Sequence, residues 1–597
     1  MSAEPAAHSR VAPEPWLEII EARSPLLLVA PHGGRAGPAA RATLHPKVND
    51  LHTVEITREL AARLGASALI NHGMDRNQLD CNRLPQVMGK APWLLELLAD
   101  SLEDIVDRHG QALVLLIHGW NIIQPRIDFG LGVRAVGGEL RPVGSAHVVA
   151  SDEFINGPLV ALAEKMRVAG IVPSFGMRYP AGAIHNLVQA FSTRHCDSPD
   201  RSLRRIARLA EDRFTDAVQF EISVAARMPG PVRERCIDAI VEVFARGPQP
   251  QPAPTPASRS LTVVRTAQPR RPPPIPRSGP AIPARAGVEF FDPAANLGAM
   301  ASFDLGTPGF GGRIMMLLGP RRVVLFTGEG KLDRAPGRIA LGPLSLSYAD
   351  RALELRFRGP AVLVPDSAAY VSIEAALASG RLVPSLEVDL RMPLPSDGPD
   401  LACIFDAQAE SPRGTGSSSA FGVAEGEVVV DATRYSIHAM ARAGLSFTGL
   451  GPQRFLSRRM IWACFADGAQ GPAALEIRET SDSDQSTPHR SARLLEPLGW
   501  SEGVLDELEI ETPAVEEPPH RLAARFESRD GRASGLTGRY AAYVPLSRPG
   551  PDRTRIYTSL GFAHFSLDGR AGAGMFEYSR VCDAPSSEAD DEDDEAG

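Results

Sequence analysis

Two histidines stand at the ends of apolar runs of strand length. "LLLVAP" delivers His32 onto a glycine-bordered corner, and "ALVLLI" delivers His118, followed by Gly119 and Trp120. A third run, "AVQFEIS", carries Glu221 near its end, and between the histidines "DRNQLDCNR" gathers Arg76, Asp80, Asn82 and Arg83. One histidine beside a glycine turn is ordinary, because such turns use Gly and Pro for their backbone angles. Two strand-end histidines, a strand carboxylate and paired arginines in one region call for chemistry. Two histidines and a carboxylate make a usual catalytic zinc set, with one coordination position left open. Zinc makes water a usable nucleophile near neutral pH, and a nearby carboxylate can take its proton. Arginine's planar fork matches a substrate carboxylate. Glu221 is the candidate base, because a carboxylate on a buried strand needs a reason to be there.

The elements that must position these groups alternate. "PLLLVAP" reads as a buried strand, "DLHTVEITRELAARLG" as an amphipathic helix closed by glycine, and "ASALINHG" as a second strand. A long helix, "PWLLELLADSLEDIVDRHG", leads to the strand of His118. "SDEFINGPLVALAEKMRVAG" opens with a Ser-Asp cap, and "PDRSLRRIARLAEDRF" precedes the strand of Glu221. This alternation predicts an α/β domain with a mostly parallel sheet between helices. In such sheets functional groups gather at the carboxyl ends of the strands, where both histidines fall.

Composition narrows the class. Of 597 residues, 43% are hydrophobic and 23% charged, as in globular protein. No apolar run reaches membrane-span length, and the start "MSAEPAAHSRVAPEPW" lacks a basic segment followed by an apolar core. A cytoplasmic protein without a membrane span is expected. Six scattered cysteines without CxxC pairs fit reduced thiols. The formal charge is −9, but the tail "SSEADDEDDEAG" holds seven acidic residues and no basic one. The rest is near neutral and shows no basic face for nucleic acid.

In order, "LLLVAPHGG", the helix with Glu55, "DRNQLDCNR", "LLIHGW", "GMRYPAGA" and "AVQFEIS" resemble the motifs of N-formylglutamate amidohydrolases, relatives of the zinc carboxypeptidases and aspartoacylase. The resemblance spans about residues 14 to 245 and implies a zinc-carboxypeptidase-like fold. It puts zinc on His32 and His118, the substrate-carboxylate clamp on Arg83 with Asn82, a further arginine on Arg76, and the catalytic base on Glu221. Carboxypeptidases take their acidic ligand three residues after the first histidine, where this chain has Arg35. The following helix then supplies it, at Glu55, with Asp50 second and Asp80 competing. The family's "N-x-P-Y-x-G-G" segment reads "RYPAGA" here, a departure that bears on substrate more than on metal. His45 and His52 receive no role, and His72 and His185 are candidates to line the pocket but not ligands. A serine-esterase reading of "LLIHGWN" fails, because no G-x-S-x-G elbow follows within residues 119 to 246.

The expected organisation is an amidohydrolase-like domain over 1–246, a proline-rich linker over 247–287, β domains over 288–400 and 401–582, and an acidic tail over 583–597. The β half shows short alternating runs between Gly, Asp and Pro, the texture of antiparallel barrels or sandwiches. "LFTGEGKL", "LELRFRGPAVLV" and "GAGMFEYS" resemble tandem lipocalin-like barrels of the carotenoid-hydratase kind, which implies an apolar ligand there. His438, Arg442 and Trp462 lie in its middle with no spacing that joins them. The expected activity is zinc-dependent hydrolysis of an N-acyl amino acid or similar small carboxylate-bearing amide. The alternative is a degenerate hydrolase domain that scaffolds a lipid- or isoprenoid-binding β module.

Overall fold

The computed structural model describes residues 8–10, 12–37, 46–136, 139–144, 147–245, 262–263, 283–305, 311–394, 417–447, 457–465, 473–481, 488–496, 499–511, 517–519, 521–528, 530–549 and 554–583. The chain divides into two compact units between Pro274 and Ile275. The acidic tail lies outside the described residues but for its first position.

In the first unit the strands are β1 (His8–Arg10), β2 (Leu17–Glu21), β3 (Leu26–Ala30), β4 (Ser67–Asn71), β5 (Ala112–Trp120), β6 (Arg126–Gly130), β7 (Val133–Val136), β8 (Glu139–Pro142), β9 (Val172–Phe175), β10 (Thr215–Ser223) and β11 (Thr262–Val263). The helices are α1 (Thr53–Leu64), α2 (Leu84–Lys90), α3 (Pro92–His109), α4 (Val160–Val168), α5 (Arg201–Glu211), α6 (Val224–Arg227) and α7 (Pro231–Phe244). Eight strands form one sheet in the order β1-β2-β4-β3-β5-β10-β6-β9. Its centre, β4-β3-β5-β10, is parallel, as the alternation of strands and helices requires. The flanks depart from a mostly parallel sheet: β2 joins β4 antiparallel, and β6 runs antiparallel to β10. Only five residues separate β5 from β6, too few for a crossover, so the chain turns back and enters the sheet reversed. β3, β4 and β6 are buried along their whole length, which fits strands covered on both faces. α1 buries Val54, Ile56, Thr57, Leu60, Ala61 and Leu64 against this sheet and leaves Glu55 outward. Ser151 caps the turn leading into α4 by accepting from the Phe154 N–H at 3.1 Å, and Asp200 caps α5 by accepting from Leu203 at 2.8 Å.

Chain order reverses between β3 and β5. From β3 the chain crosses through α1 to β4 on one side, then through α2 and α3 to β5 on the other. Such a switch point opens a crevice at the carboxyl ends of the two strands, and His32 and His118 stand at those ends. Within the proline-rich stretch, β11 pairs with β8 in a small sheet with β7, so part of that segment belongs to the first unit.

The second unit holds β12 (Pro283–Asp292), β13 (Leu297–Asp304), β14 (Gly311–Leu318), β15 (Arg322–Glu329), β16 (Asp333–Ala335), β17 (Arg338–Leu341), β18 (Leu344–Ala349), β19 (Ala352–Val364), a short helix α8 (Ile373–Ser379), β20 (Arg381–Pro393), β21 (Ser417–Val430) and β22 (Thr433–Phe447). The ring β15-β14-β13-β12-β22-β21-β20-β19 closes by pairing β15 with β19, while β18, β17 and β16 extend beyond it. A second closed barrel follows, of β23 (Ser457–Phe465), β24 (Ala474–Ser481), β25 (His489–Glu496), β26 (Gly499–Glu511), β27 (Arg521–Glu527), β28 (Ala533–Pro549), β29 (Thr554–Leu567) and β30 (Arg570–Asp583). The expected boundary near residue 400 is therefore too early. β21 and β22 complete the first barrel, because β22 must pair with β12 to seal it. The second barrel's core is filled by its own side chains, among them Phe465, Ile477, Leu494, Phe526, Phe565 and Phe576.

The two barrels exchange polar groups at their junction. Arg442 on β22 donates to Glu289 at 2.9 Å and to Glu476 of the other barrel at 2.8 Å, while Trp462 of that barrel donates to the same Glu289 oxygen at 2.8 Å. Burial alone would raise the Glu476 carboxyl, but the charges of Arg442 and Arg478 outweigh it and bring it down to about 2. Arg442 and Trp462 thus converge on Glu289, whereas His438 is exposed and pairs with Glu425 at 3.2 Å.

Candidate functional site

Pro31 ends β3, and Asn71 holds that corner by donating from its side chain to the Pro31 carbonyl at 2.8 Å. The paired glycines after His32 answer to close backbone approach: a Cβ on Gly34 would lie 1.8 Å from the Met74 carbonyl oxygen. The Asp50 N–H donates to the His32 carbonyl at 2.8 Å, which brings the segment before α1 against the end of β3. On β10 the Glu221 position is in register with His118 on one side and Asp128 on the other, so the three share one row and one face of the sheet.

His32, Asp50 and His118 meet. One ligand atom from each lies within 4.8 Å of the other two, and all three residues are buried. Asp50 Oδ2 is 3.3 Å from His32 Nδ1 and 3.5 Å from His118 Nδ1, and it accepts the Gly119 N–H at 2.9 Å. The His32 ring donates its Nε2–H to Asp80 Oδ1 at 2.7 Å, which fixes the tautomer and turns the Nδ1 lone pair toward Asp50. Among the described residues, His32 Nδ1 and His118 Nε2 are buried ring nitrogens without a hydrogen-bond partner. Buried ring nitrogens left unpaired are costly unless a proton or a cation completes them. The donor set, two imidazoles and a carboxylate, suits zinc.

Electrostatics sharpens the roles. Burial pushes Asp50 up, but the His118 and His32 rings against it and the charge of Arg76 hold it well below the carboxylate range. Asp80 is likewise raised by burial and lowered further by His32, Arg76 and Lys47, ending well below. Burial lowers His118 to about 4, against the opposing pull of the Asp50 carboxylate that accepts from the ring, so the ring is neutral and able to bind a metal. Glu221 goes the other way. Burial and the charge of Asp50 raise it well above the ordinary range, despite a 2.6 Å hydrogen bond donated by Gln219. Two carboxylates in one site with pKa values driven apart mark an acid–base pair of roles.

The expected acidic ligand Glu55 is not in this group. It faces solvent on the first turn of α1, with 53% of its side chain exposed and His52 at 3.9 Å. The helix period puts Thr53, Val54 and Thr57 on the buried face, and Glu55 falls on the opposite one. Asp50, the second choice, stands where the ligand is needed. Asp80 serves the far side of His32 instead of joining the three. Arg76 is drawn in: it donates to the Val48 carbonyl at 3.1 Å and lies 3.8 Å from Asp50 and 3.6 Å from Asp80. Arg83 stands at the N-cap position of α2 without a side-chain capping bond, its Nε 4.0 Å from Asp80, and Asn82 is buried with its Oδ1 lacking a partner among the described residues. Sequence reasoning missed Asp128. It accepts backbone N–H bonds from Met177, Arg178 and Tyr179 at 2.8–3.0 Å and so fixes the "GMRY" turn. It also missed Arg227, for which only the closeness of a basic residue to "QFEIS" gave a signal.

No family model and no curated protein matches the chain. Among solved structures, N-formylglutamate amidohydrolase from Ralstonia eutropha is similar at 14% identity and TM-score 0.25, over 38% of this chain and 93% of its own. A protein described as AttH from Nitrosomonas europaea shares 12% identity at TM-score 0.32, over 49% of this chain and 91% of its own. Kievitone hydratase from Nectria haematococca shares 10% at TM-score 0.28, over 50% and 89% respectively. At these scores the likenesses decide no function, and the reading below stands on the site's geometry. No helix among the described residues is long and apolar enough to cross a membrane.

Proposed function

We propose that the first unit is a zinc-dependent amidohydrolase that cleaves the amide bond of an N-acyl amino acid, N-formyl among the candidates, or a similar small carboxylate-bearing amide. The observation that carries this reading is the buried His32–Asp50–His118 group at the switch point of the sheet. Zinc bound there supplies Lewis acidity and a nucleophilic water near neutral pH. Glu221 would act in its ionised form, which a cation bound beside it favours over the protonated one: it would accept the water's proton and pass it to the leaving nitrogen, while Gln219 donates to its carboxylate at 2.6 Å. Arg83 and Asn82, with Arg76 beside them, take the substrate's carboxylate. Asp80 keeps the His32 tautomer that leaves Nδ1 free to bind. The described cysteines are all free, which supports a cytoplasmic setting. The scaffold reading lacks a comparable observation, since the second barrel's interior is occupied by its own side chains.

The test is the metal content of purified protein together with turnover of a panel of N-acyl amino acids. About one zinc per chain and chelator-sensitive hydrolysis are expected. A chain that binds no zinc overturns the reading, and so does hydrolysis that survives His32→Ala with His118→Ala.

A further inference from the structure

Arg227 ends α6, six residues beyond Glu221, and is 1% exposed. Its Nη1 donates to the Leu51 carbonyl at 2.8 Å. Its Nη2 donates to the Trp120 carbonyl at 3.3 Å and to Asn121 Oδ1 at 3.0 Å. All three acceptors are neutral, and Nε has no partner among the described residues. A fully buried guanidinium without a carboxylate in contact is expensive, so a chain that keeps one is using it.

The acceptors say for what. Leu51 follows Asp50 directly, and Trp120 lies two residues past His118. The guanidinium therefore spans the two segments that carry these groups, one a loop before α1 and the other the end of β5. It also comes close against Gly119, between His118 and Trp120: a Cβ there would lie 2.1 Å from Nη1 and 2.4 Å from Cζ. The Gly119 N–H in turn donates to Asp50 Oδ2 at 2.9 Å. Loop, strand end and guanidinium thus make one closed set of hydrogen bonds around the Asp50–His118 pair, tied through α6 to the strand of Glu221.

We propose that Arg227 is the positioning residue of this site, holding Asp50 and His118 at a fixed spacing by bridging the carbonyls of Leu51 and Trp120. The proposal rests on the metal-site reading above. A lysine keeps the charge but has no planar fork to bridge both carbonyls, so charge and geometry can be separated.

The experiment titrates Zn2+ into metal-free full-length protein and records the Co2+ visible spectrum at saturation, for wild type, Arg227→Lys, Arg227→Met and Gly119→Ala. Partners behind metal ligands typically contribute about 10–100-fold in affinity. Arg227→Lys and Gly119→Ala are expected to bind Zn2+ at least about tenfold more weakly and to shift the Co2+ bands, with Arg227→Met weaker still. A role limited to general stability would leave the spectrum of the folded, saturated protein unchanged. If Arg227→Met does not fold, Arg227→Lys decides. Wild-type affinity and spectrum in a folded Arg227→Lys overturn the positioning role while leaving the metal site standing. Failure of the wild type itself to bind Zn2+ overturns the metal-site reading first, and this proposal with it.

Discussion

Exchanging the acid in either of two variants, Asp50→Asn and Glu55→Gln, separates the carboxylate that the structure puts between the histidines from the one on the helix. Asp50 is buried, with Oδ2 at 3.3 and 3.5 Å from the two imidazoles; Glu55 is 53% exposed and its nearest ion partner is 3.9 Å away. A surface change of the second kind stays within about 0.5 kcal/mol and leaves metal affinity alone. Loss of a ligand carboxylate costs more than loss of a residue behind a ligand, hence more than about 100-fold in affinity. The assay is thermal unfolding of each metal-free protein with and without zinc at a hundred times the wild-type Kd. Binding at that ratio stabilises the native state by about 2.7 kcal/mol. For a unit of roughly 250 residues, that raises the melting point of the N-terminal transition by about 5–11 °C. Wild type and Glu55→Gln are expected to show the full rise, and Asp50→Asn almost none. The opposite pattern, a rise in Asp50→Asn and none in Glu55→Gln, refutes the reasoning from burial and distance.

Glu221→Gln should keep zinc and lose about 10²–10⁴-fold in turnover, since an amide cannot take the proton; unchanged turnover at full zinc occupancy demotes Glu221. In the metal-free protein the same variant should become more stable relative to wild type as pH rises above the ordinary glutamate range. Between its unfolded pKa and its raised folded pKa, the native Glu221 holds a proton that the unfolded chain has lost, so wild-type stability falls with pH there; parallel stability–pH curves for the two proteins sink this. Glu476 has the reverse sign: lowered from 4.5 to about 2, it contributes stability present above pH 4.5 that is lost as pH falls toward 2. That contribution is on the order of 3 kcal/mol, and Glu476→Gln should flatten the acid limb of urea-unfolding curves of the full chain. A fragment of residues 1–274, which retains β11, should fold and bind zinc as the full chain does, checked by circular dichroism and metal titration; a fragment that is unfolded or metal-free shows that the second unit is needed.

The parts of this protein legible in the sequence are those governed by local pattern. Fully apolar runs gave the central strands, three- and four-residue spacing gave α1 and α3, and Ser151 marked a helix start because caps are short-range hydrogen bonds. His32, His118 and Glu221 were legible as site candidates because each ends or nearly ends such a run. The choice between Asp50 and Glu55 was not, because both flank the start of α1 and only the angle at which that helix lies on the sheet decides which faces inward. The reversal of β6 and the extent of the first barrel were hidden for a related reason. Strand pairing joins residues distant in sequence: β22 seals against β12 across more than a hundred positions, and no local pattern records its partner. The same holds for Arg227 and Arg442, whose neighbours come from other segments. The sequence by itself determined which residues can carry chemistry and which elements deliver them; tertiary structure decided which of them meet, because burial and hydrogen-bond partners are properties of the packed chain.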